Sequence, residues 1–525
     1  MSGPASKVCS VEQAVSVIRD GDTIASVGVI GWLVPDALLA GIGRRFHAGE
    51  GCRDLAFYFP VGVGDALDIR GMEHVAVPGL MRRVISGNLI NPLNPRTGRR
   101  PELMRLINDN LIEAYTWPIG ATMHWLREVA RRGPGYLTEI GLGTFIDPRH
   151  EGGRLNARTT EDLVRVCAFE GRDYLFYPTF PLNVGLLRAS AADELGNLSF
   201  DGEPLHSCAQ ALALAVKASG GTVIAQVKEI VPAHGRPAAS MQVPRCLVDH
   251  IVVEPEPMMT TDVAFDHRYL GGGYDPEGLG MPPFGIDKVI ARRAALECRE
   301  DEVSIFGFGA ATDIPLILAE QGRFADGGID RFLHTTEHGA FGGIVMSGWQ
   351  FSANLFPEAL IDGPAQFDFI DGGNCPFAAL SFAQFDAAGN INVSKFSGYS
   401  PGSGGFIDIA SNARRLVFAG TFTTGGLKVD FAPTGLKVAE EGRIRKFVGR
   451  AQQITYPLAR GIAERGQEAR IITERAVFDV DRDGPVLIEI ADGIDIERDI
   501  QAHVEFGPVR VSADLKAMPA DLFQA

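Results

Sequence analysis

The sequence lacks the signatures of several protein classes, and each absence narrows the reading. None of its seven cysteines (Cys9, Cys52, Cys167, Cys208, Cys246, Cys298 and Cys375) stands in a C-x-x-C pair. An odd, dispersed set supports neither a disulfide framework nor a zinc site. The histidines show no metal-ligand spacing, and His334 and His338 merely bracket a glycine-rich turn, so no metal is expected. No apolar run reaches the roughly 20 residues that a membrane span requires. The N-terminal Met1-Ser2-Gly3-Pro4-Ala5-Ser6-Lys7 leads into a polar amphipathic segment without the apolar centre of a signal peptide. The expectation is a cytoplasmic, reduced protein with no membrane partner. Positive charge is also short: 49 Lys and Arg against 65 Asp and Glu leave a net charge of −16. That argues against a nucleic-acid partner, since phosphate neutralisation needs clustered Lys and Arg. No G-x-S-x-G elbow and no P-loop is present.

What is present describes an ordinary globular chain. With 525 residues, 46% of them hydrophobic, it is too long for one core. The usual domain size of roughly 100–200 residues gives about three domains, and two large ones fit nearly as well. Short apolar runs (Thr23-Ile24-Ala25-Ser26-Val27, Thr222-Val223-Ile224-Ala225-Gln226, Val303-Ser304-Ile305-Phe306, Leu416-Val417-Phe418-Ala419) alternate with helical patterns. This predicts an α/β protein with mostly parallel sheets. Helices are expected over 34–46, 160–167, 209–219 and 288–299, the last with Asp287 as its N-cap. Proline and glycine crowd 255–284 (Pro255, Pro257, Gly271-Gly272-Gly273, Pro276, Pro282-Pro283). An interdomain linker is therefore placed there, separating 1–254 from 285–525.

The two sides of that linker echo each other. Gly21-Asp22-Thr23-Ile24-Ala25-Ser26-Val27-Gly28 resembles Glu300-Asp301-Glu302-Val303-Ser304-Ile305-Phe306-Gly307, and Asp193-Glu194-Leu195-Gly196-Asn197-Leu198 resembles Asp386-Ala387-Ala388-Gly389-Asn390-Ile391. The order is kept, which predicts duplication of one α/β unit and a ligand site between the copies.

Within this frame one acid stands out. Glu337 lies in His334-Thr335-Thr336-Glu337-His338-Gly339-Ala340-Phe341-Gly342-Gly343, where side-chain-poor backbone would let a bulky ligand reach a carboxylate nucleophile. A solvated acid before a turn is the alternative. Pro401-Gly402-Ser403-Gly404-Gly405-Phe406-Ile407-Asp408 offers adjacent glycine amides suited to an oxyanion hole, or else a tight connection. Gly307-Phe308-Gly309-Ala310-Ala311-Thr312 lacks the third glycine and the ribose-binding acid of a dinucleotide site. It reads as a strand-to-helix turn whose amides either face a ligand or simply turn the chain. Arg149 and Arg154 in the polar loop 144–156 are carboxylate-binding candidates, with a solvated or interface loop as the alternative.

Taken in order, several segments resemble the family I CoA-transferases, in particular the fused single-chain acetate or propionate branch. They are Thr335-Thr336-Glu337-His338-Gly339, Gln366-Phe367-Asp368-Phe369-Ile370-Asp371-Gly372-Gly373, Gly389-Asn390-Ile391-Asn392, Gly404-Gly405-Phe406-Ile407-Asp408 and Gly420-Thr421-Phe422-Thr423-Thr424-Gly425-Gly426. Gly143-Thr144-Phe145-Ile146-Asp147-Pro148-Arg149 and Asp287-Lys288-Val289-Ile290-Ala291-Arg292-Arg293 agree. The resemblance implies two fused, mutually similar α/β domains of the CoA-transferase type, with Glu337 as a nucleophile that carries CoA as a glutamyl thioester. It implies Gly404 and Gly405 as oxyanion donors, and Gly307 and Gly309 along the CoA. Gly28, Gly31, Trp349 and Asn374 become candidates for the substrate pocket. The implied partners are acyl-CoA and small carboxylates, with no cofactor beyond CoA, in a homo-oligomer (dimer or tetramer). Acyl-CoA hydrolysis and a non-catalytic CoA-binding role are the alternatives.

Overall fold

The computed structural model describes residues 7–90, 92–396 and 398–525. The N-terminal sheet is built on seven parallel strands: β1 (Thr23–Ser26), β2 (Leu55–Phe59), β3 (Met81–Ser86), β4 (Glu113–Thr116), β5 (Val184–Asp193), β6 (Thr222–Val231) and β7 (His250–Val253). Their order is β4-β3-β2-β1-β5-β6-β7. All five residues of β2 are buried, as expected of a strand covered on both faces. Phe57 and Phe59 pack with Leu38, Leu39 and Ile42 of α1 (Asp36–His47). Tyr58 faces the other way, and its hydroxyl donates to Thr122 O (2.7 Å) in α2 (Ile119–Ala130). The helix α3 (Ala209–Ala218) lies beside α2 on that face.

The C-terminal sheet repeats the plan. Its strands β8 (Val303–Phe306), β9 (Leu333–Thr335), β10 (Phe377–Ser381), β11 (Arg415–Ala419) and β12 (Glu468–Ile472) are parallel, in the order β9-β8-β10-β11-β12. Two antiparallel strands, β13 (Ala476–Asp481) and β14 (Gly484–Ile490), extend it. The helices of this unit include α4 (Ile286–Ala295), α5 (Ile314–Glu320), α6 (Gly363–Asp371) and α7 (Phe406–Asn412). The helix α6 packs both on α7 and, across to the N-terminal unit, on α2.

The echoes in sequence are echoes in structure. β1 and β8 each sit between the next parallel strand on one side and a later one on the other. Asp193 Oδ1 accepts the N–H groups of Leu195 and Asn197, and its Oδ2 accepts Asn197 Nδ2. Asp386 does the same with Ala388, Asn390 and Asn390 Nδ2. Each Asp thus closes an identical turn with its own carboxylate.

Two local expectations are corrected. Residues 160–167 form no helix; the segment enters the strand Arg165–Phe169, which pairs with Arg172–Pro178, itself paired with Gly135–Thr138. The connecting Glu170 and Gly171 have φ of 50° and 77°, the backbone of a tight hairpin. Glu161 and Asp162, which look like a helix start, instead pair with Arg83 and Arg154. Asp287 is not an N-cap: Gly285 is, and Asp287 lies in the first turn of α4, where its charge complements the helix dipole. Residues 255–284 hold only the single turn His267–Leu270, and we propose them as the linker between units 1–254 and 285–525. This linker is packed: Thr261 Oγ1 donates to Asp65 Oδ2 (2.5 Å), and the Tyr269 ring lies 4.9 Å from that of Trp32. Among the described residues no helix is long and apolar enough to cross a membrane.

Candidate active site

In parallel α/β sheets ligands gather beyond the carboxyl ends of the strands, and Glu337 sits there, two residues past β9. The turn that presents it is over-determined. Thr335 Oγ1 donates to Ala340 O (2.7 Å), and Gly342 N–H donates to His334 O (2.8 Å). Gln366, fully buried in α6, donates through Nε2 to Thr336 O (2.6 Å) and Thr335 Oγ1 (3.1 Å). Thr336 Oγ1 donates to Ser352 O (3.1 Å). The glycines of the turn answer to packing: a Cβ on Gly339 would fall 2.1 Å from Ile361 O, and one on Gly343 2.0 Å from Leu355 O.

His334 braces the base of the turn. Burial lowers its pKa to about 4, so the ring is neutral at physiological pH. Its Nδ1 lies 3.0 Å from Gly343 O, and because a carbonyl only accepts, the proton is assigned to Nδ1. Beyond this scaffold the Glu337 side chain is 15% exposed, with Oε1 3.5 Å from Nε2 of buried His338.

The loop 401–405 meets Glu337 from the opposite side, stitched to the N-terminal sheet. Leu89 N–H donates to Pro401 O (2.7 Å), Gly404 N–H to Gly87 O (3.0 Å), and Ile119 N–H to Gly404 O (3.1 Å). These bonds carry Gly405 against the carboxylate: a Cβ there would lie 2.0 Å from Glu337 Oε2. Only a residue without a side chain fits. The Gly404 amide is engaged, whereas among the described residues no acceptor takes the Gly405 N–H. A carboxylate with a free backbone amide beside it suits nucleophilic attack on a carbonyl.

Comparison with known proteins agrees. The coenzyme A transferase family model matches residues 8–254. The chain is 36% identical over 520 residues to the acetate CoA-transferase YdiF of Escherichia coli O157:H7, covering 98% of this chain and 95% of that one. The chain belongs to the coenzyme A transferase family. The caffeate CoA-transferase of Acetobacterium woodii is likewise 36% identical, over 529 residues covering 98% and 97% of the two chains. The crystal structure of the YdiF apoenzyme superposes with a TM-score of 0.89 at 35% identity, covering 99% of this chain and 96% of that one. A YdiF thioester complex with CoA superposes with a TM-score of 0.88 at 34% identity and the same coverage. The protein is thus a CoA-transferase acting on acyl-CoA, with two α/β units and mostly parallel sheets.

The remaining candidate residues of this CoA-transferase have these surroundings. Gly307 and Gly309 turn the chain after β8, and Cβ atoms on them would fall 2.9 Å from Leu380 Cδ2 and 2.3 Å from Ser381 Oγ. Packing on β10 therefore accounts for both glycines, while Phe308 between them is 56% exposed. A Cβ on Gly28 would strike Val63 Cγ1 at 2.8 Å, and one on Gly31 the linker's Thr260 Oγ1 at 2.6 Å. Trp349 is half-buried in the single turn Gly348–Gln350. Asn374 is exposed past α6, where its Nδ2 donates to Phe369 O (3.2 Å). Trp32, bulky beside the first glycine turn, is a core residue whose Nε1 donates to Phe351 O (3.0 Å). Arg149 pairs with Asp147 and Asp173, and Arg154 with Asp162, which favours the solvated-loop reading of 144–156. Sequence reasoning missed Gln366, whose only signal was a polar residue on the buried side of an otherwise apolar helix. It missed the bracing role of His334 as well.

Proposed function

We propose that this CoA-transferase moves CoA from an acyl-CoA to a free carboxylate by a ping-pong mechanism through Glu337. The observation that carries the reading is the bare Gly405 backbone against Oε2, with its N–H unclaimed. A Glu337 oxygen attacks the donor thioester carbonyl and the C–S bond breaks, giving a mixed anhydride and CoA thiolate. The thiolate attacks the Glu337 carbonyl carbon, releasing the donor carboxylate and leaving a glutamyl-CoA thioester. An acceptor carboxylate attacks that thioester and expels the thiolate, leaving an acceptor–Glu337 anhydride. The thiolate then attacks the acceptor's acyl carbon, which frees the new acyl-CoA and restores Glu337.

Each addition puts negative charge on a carbonyl oxygen, and one preorganised amide is worth roughly 3–4 kcal/mol there. With Gly404 N–H held by Gly87 O, the donor role narrows to Gly405. One thioester replaces another, so the exchange is close to neutral in free energy. Gly307 and Gly309 stay in the proposal as contacts of CoA, and Gly28, Gly31, Trp349 and Asn374 as candidates for the substrate pocket. A homo-oligomer, dimer or tetramer, rests on family resemblance, and a cytoplasmic location on the sequence's lack of a signal peptide; both are part of the same reading.

The test is mass spectrometry after incubation with acyl-CoA alone. A CoA adduct on the Glu337 peptide, and loss of exchange in Glu337→Ala, are expected; full exchange by that variant would refute the assignment. Turnover without any added carboxylate would mark a hydrolase instead.

A further inference from the structure

Three residues beyond Gly405, in the first turn of α7, Asp408 is 1% exposed. Neither of its carboxyl oxygens has a hydrogen-bond partner among the described residues. Its Oδ1 presses on the bare backbone of Gly120 in α2, where a Cβ would fall 2.2 Å away and would also lie 2.8 Å from Phe367 Cδ1 of α6. The N–H groups of Gly120 and of Asp408 itself are directed at the carboxyl and favour its ionised form, but neither closes a well-formed hydrogen bond. Asp408 is thus a wedge among α2, α6 and α7, at the point where the two units meet and directly behind the Gly405–Glu337 contact.

The surroundings decide its protonation. From α6 come Asp371, whose Oδ1 accepts Asn412 Nδ2 (3.2 Å), and Asp368, paired with Arg127. From the turn after β9 comes Glu337, whose Oε1 lies 3.5 Å from His338 Nε2. From α2 comes His124, whose Nε2 lies 3.6 Å from Asp371 Oδ2. The antiparallel sheet of 135–178 supplies Tyr136 and Tyr177, both influenced by the Asp408 charge. Arg127, the cation in this ring, and the His124 imidazole face other carboxylates, and no ion pair reaches Asp408 among the described residues. Two poorly aligned backbone N–H groups and no counter-ion do not offset the cost of an ionised carboxylate at such burial. Burial first, then the Asp371 charge, push the Asp408 carboxyl well above its ordinary range, and Glu337 adds to this.

We propose that Asp408 is a positioning residue that works as a neutral carboxylic acid, seating Gly405 against Glu337, and that loss of its proton unseats that contact and slows transfer. Ionisation places a second negative charge behind the oxygen that must accept one in the transition state. It also drives a demand for solvation into the packed seam. The proposal rests on Glu337 being the nucleophile.

The experiment is the single-turnover rate of CoA-adduct formation at Glu337, from pH 5.5 to 9.5, with acyl-CoA as the only substrate. The wild-type rate is expected to fall at alkaline pH, by at least about tenfold. Asp408→Asn, which keeps the shape and cannot ionise, should lose that fall while reacting within about fivefold of wild type at pH 6. Should the Asn variant not fold, Asp371→Asn gives a second reading. Removing the Asp371 charge lets the Asp408 proton leave more easily, so the alkaline limb moves to lower pH. A purely structural role would move neither limb. A wild-type profile flat to pH 9.5, an unchanged limb in Asp408→Asn, or an unmoved limb in Asp371→Asn overturns the proposal. Absence of any wild-type adduct at pH 6 would instead refute the nucleophile assignment, so the two failures are distinct.

Discussion

The Gly405 backbone lies so close to the Glu337 carboxylate that a methyl group on it would fall 2.0 Å from Oε2. The two residues lie 68 positions apart in the chain, and bonds to residues 87, 89 and 119 of the N-terminal unit hold the loop 401–405 in place.

Gly405→Ala is therefore expected to displace the nucleophile without removing any functional group. A misplacement of about 1 Å costs about a hundredfold in rate, and adduct formation should fall by at least that much. Gly404→Ala is the contrast. Its Cβ would meet nothing within 4 Å, but its φ of +58° strains a side-chain-bearing residue by roughly 1–2 kcal/mol. It should lower the melting temperature and leave the adduct rate within a few-fold of wild type. Equal rate losses in the two variants would contradict this distinction.

Gln366 offers a test of the turn itself. Gln366→Met keeps the volume but removes the donor to Thr336 O and Thr335 Oγ1. Leaving a buried carbonyl unpaired costs about 1–3 kcal/mol, read as a lower urea midpoint with unchanged slope. Because the freed carbonyl directly precedes Glu337, kcat should fall more than KM rises; a loss confined to KM would show that the turn does not need this anchor.

How far these residues were legible in the sequence depends on how local their reason is. Glu337 and the glycines at 404 and 405 announced themselves as an acid and a bare loop, and their order matched a family pattern. The Asp193 and Asp386 turns were readable because the residues that close them lie within five positions. Gln366, Gly120 and Asp408 were not, since their partners come from other strands and helices and nothing in the chain says which elements meet. The expected helix at 160–167 failed because the acids at 161 and 162 serve distant arginines. At Gly307, Gly309, Gly28 and Gly31 neighbouring protein atoms fill the space a side chain would need, a packing reason for glycine that the sequence does not show.

His334 ties the stability of the site to pH. Its ring titrates near 6.5 when the chain is unfolded and at about 4 when buried in the fold. Between these values the unfolded chain holds the proton and the native chain does not, so stability rises with pH through this window. The stabilisation is complete above about pH 6.5 and is lost progressively on acidification towards pH 4. At pH 4.5 the loss from this residue is on the order of 2 to 3 kcal/mol. His334→Asn places an amide donor near Gly343 O in the position of Nδ1 and cannot take up a proton. It should have a fixed packing cost at every pH, and its stability should drop between pH 7 and pH 4.5 by roughly 2 to 3 kcal/mol less than the wild type's. Urea unfolding at the two pH values measures the difference, and parallel losses in both proteins would show that another group governs the acid sensitivity of this turn.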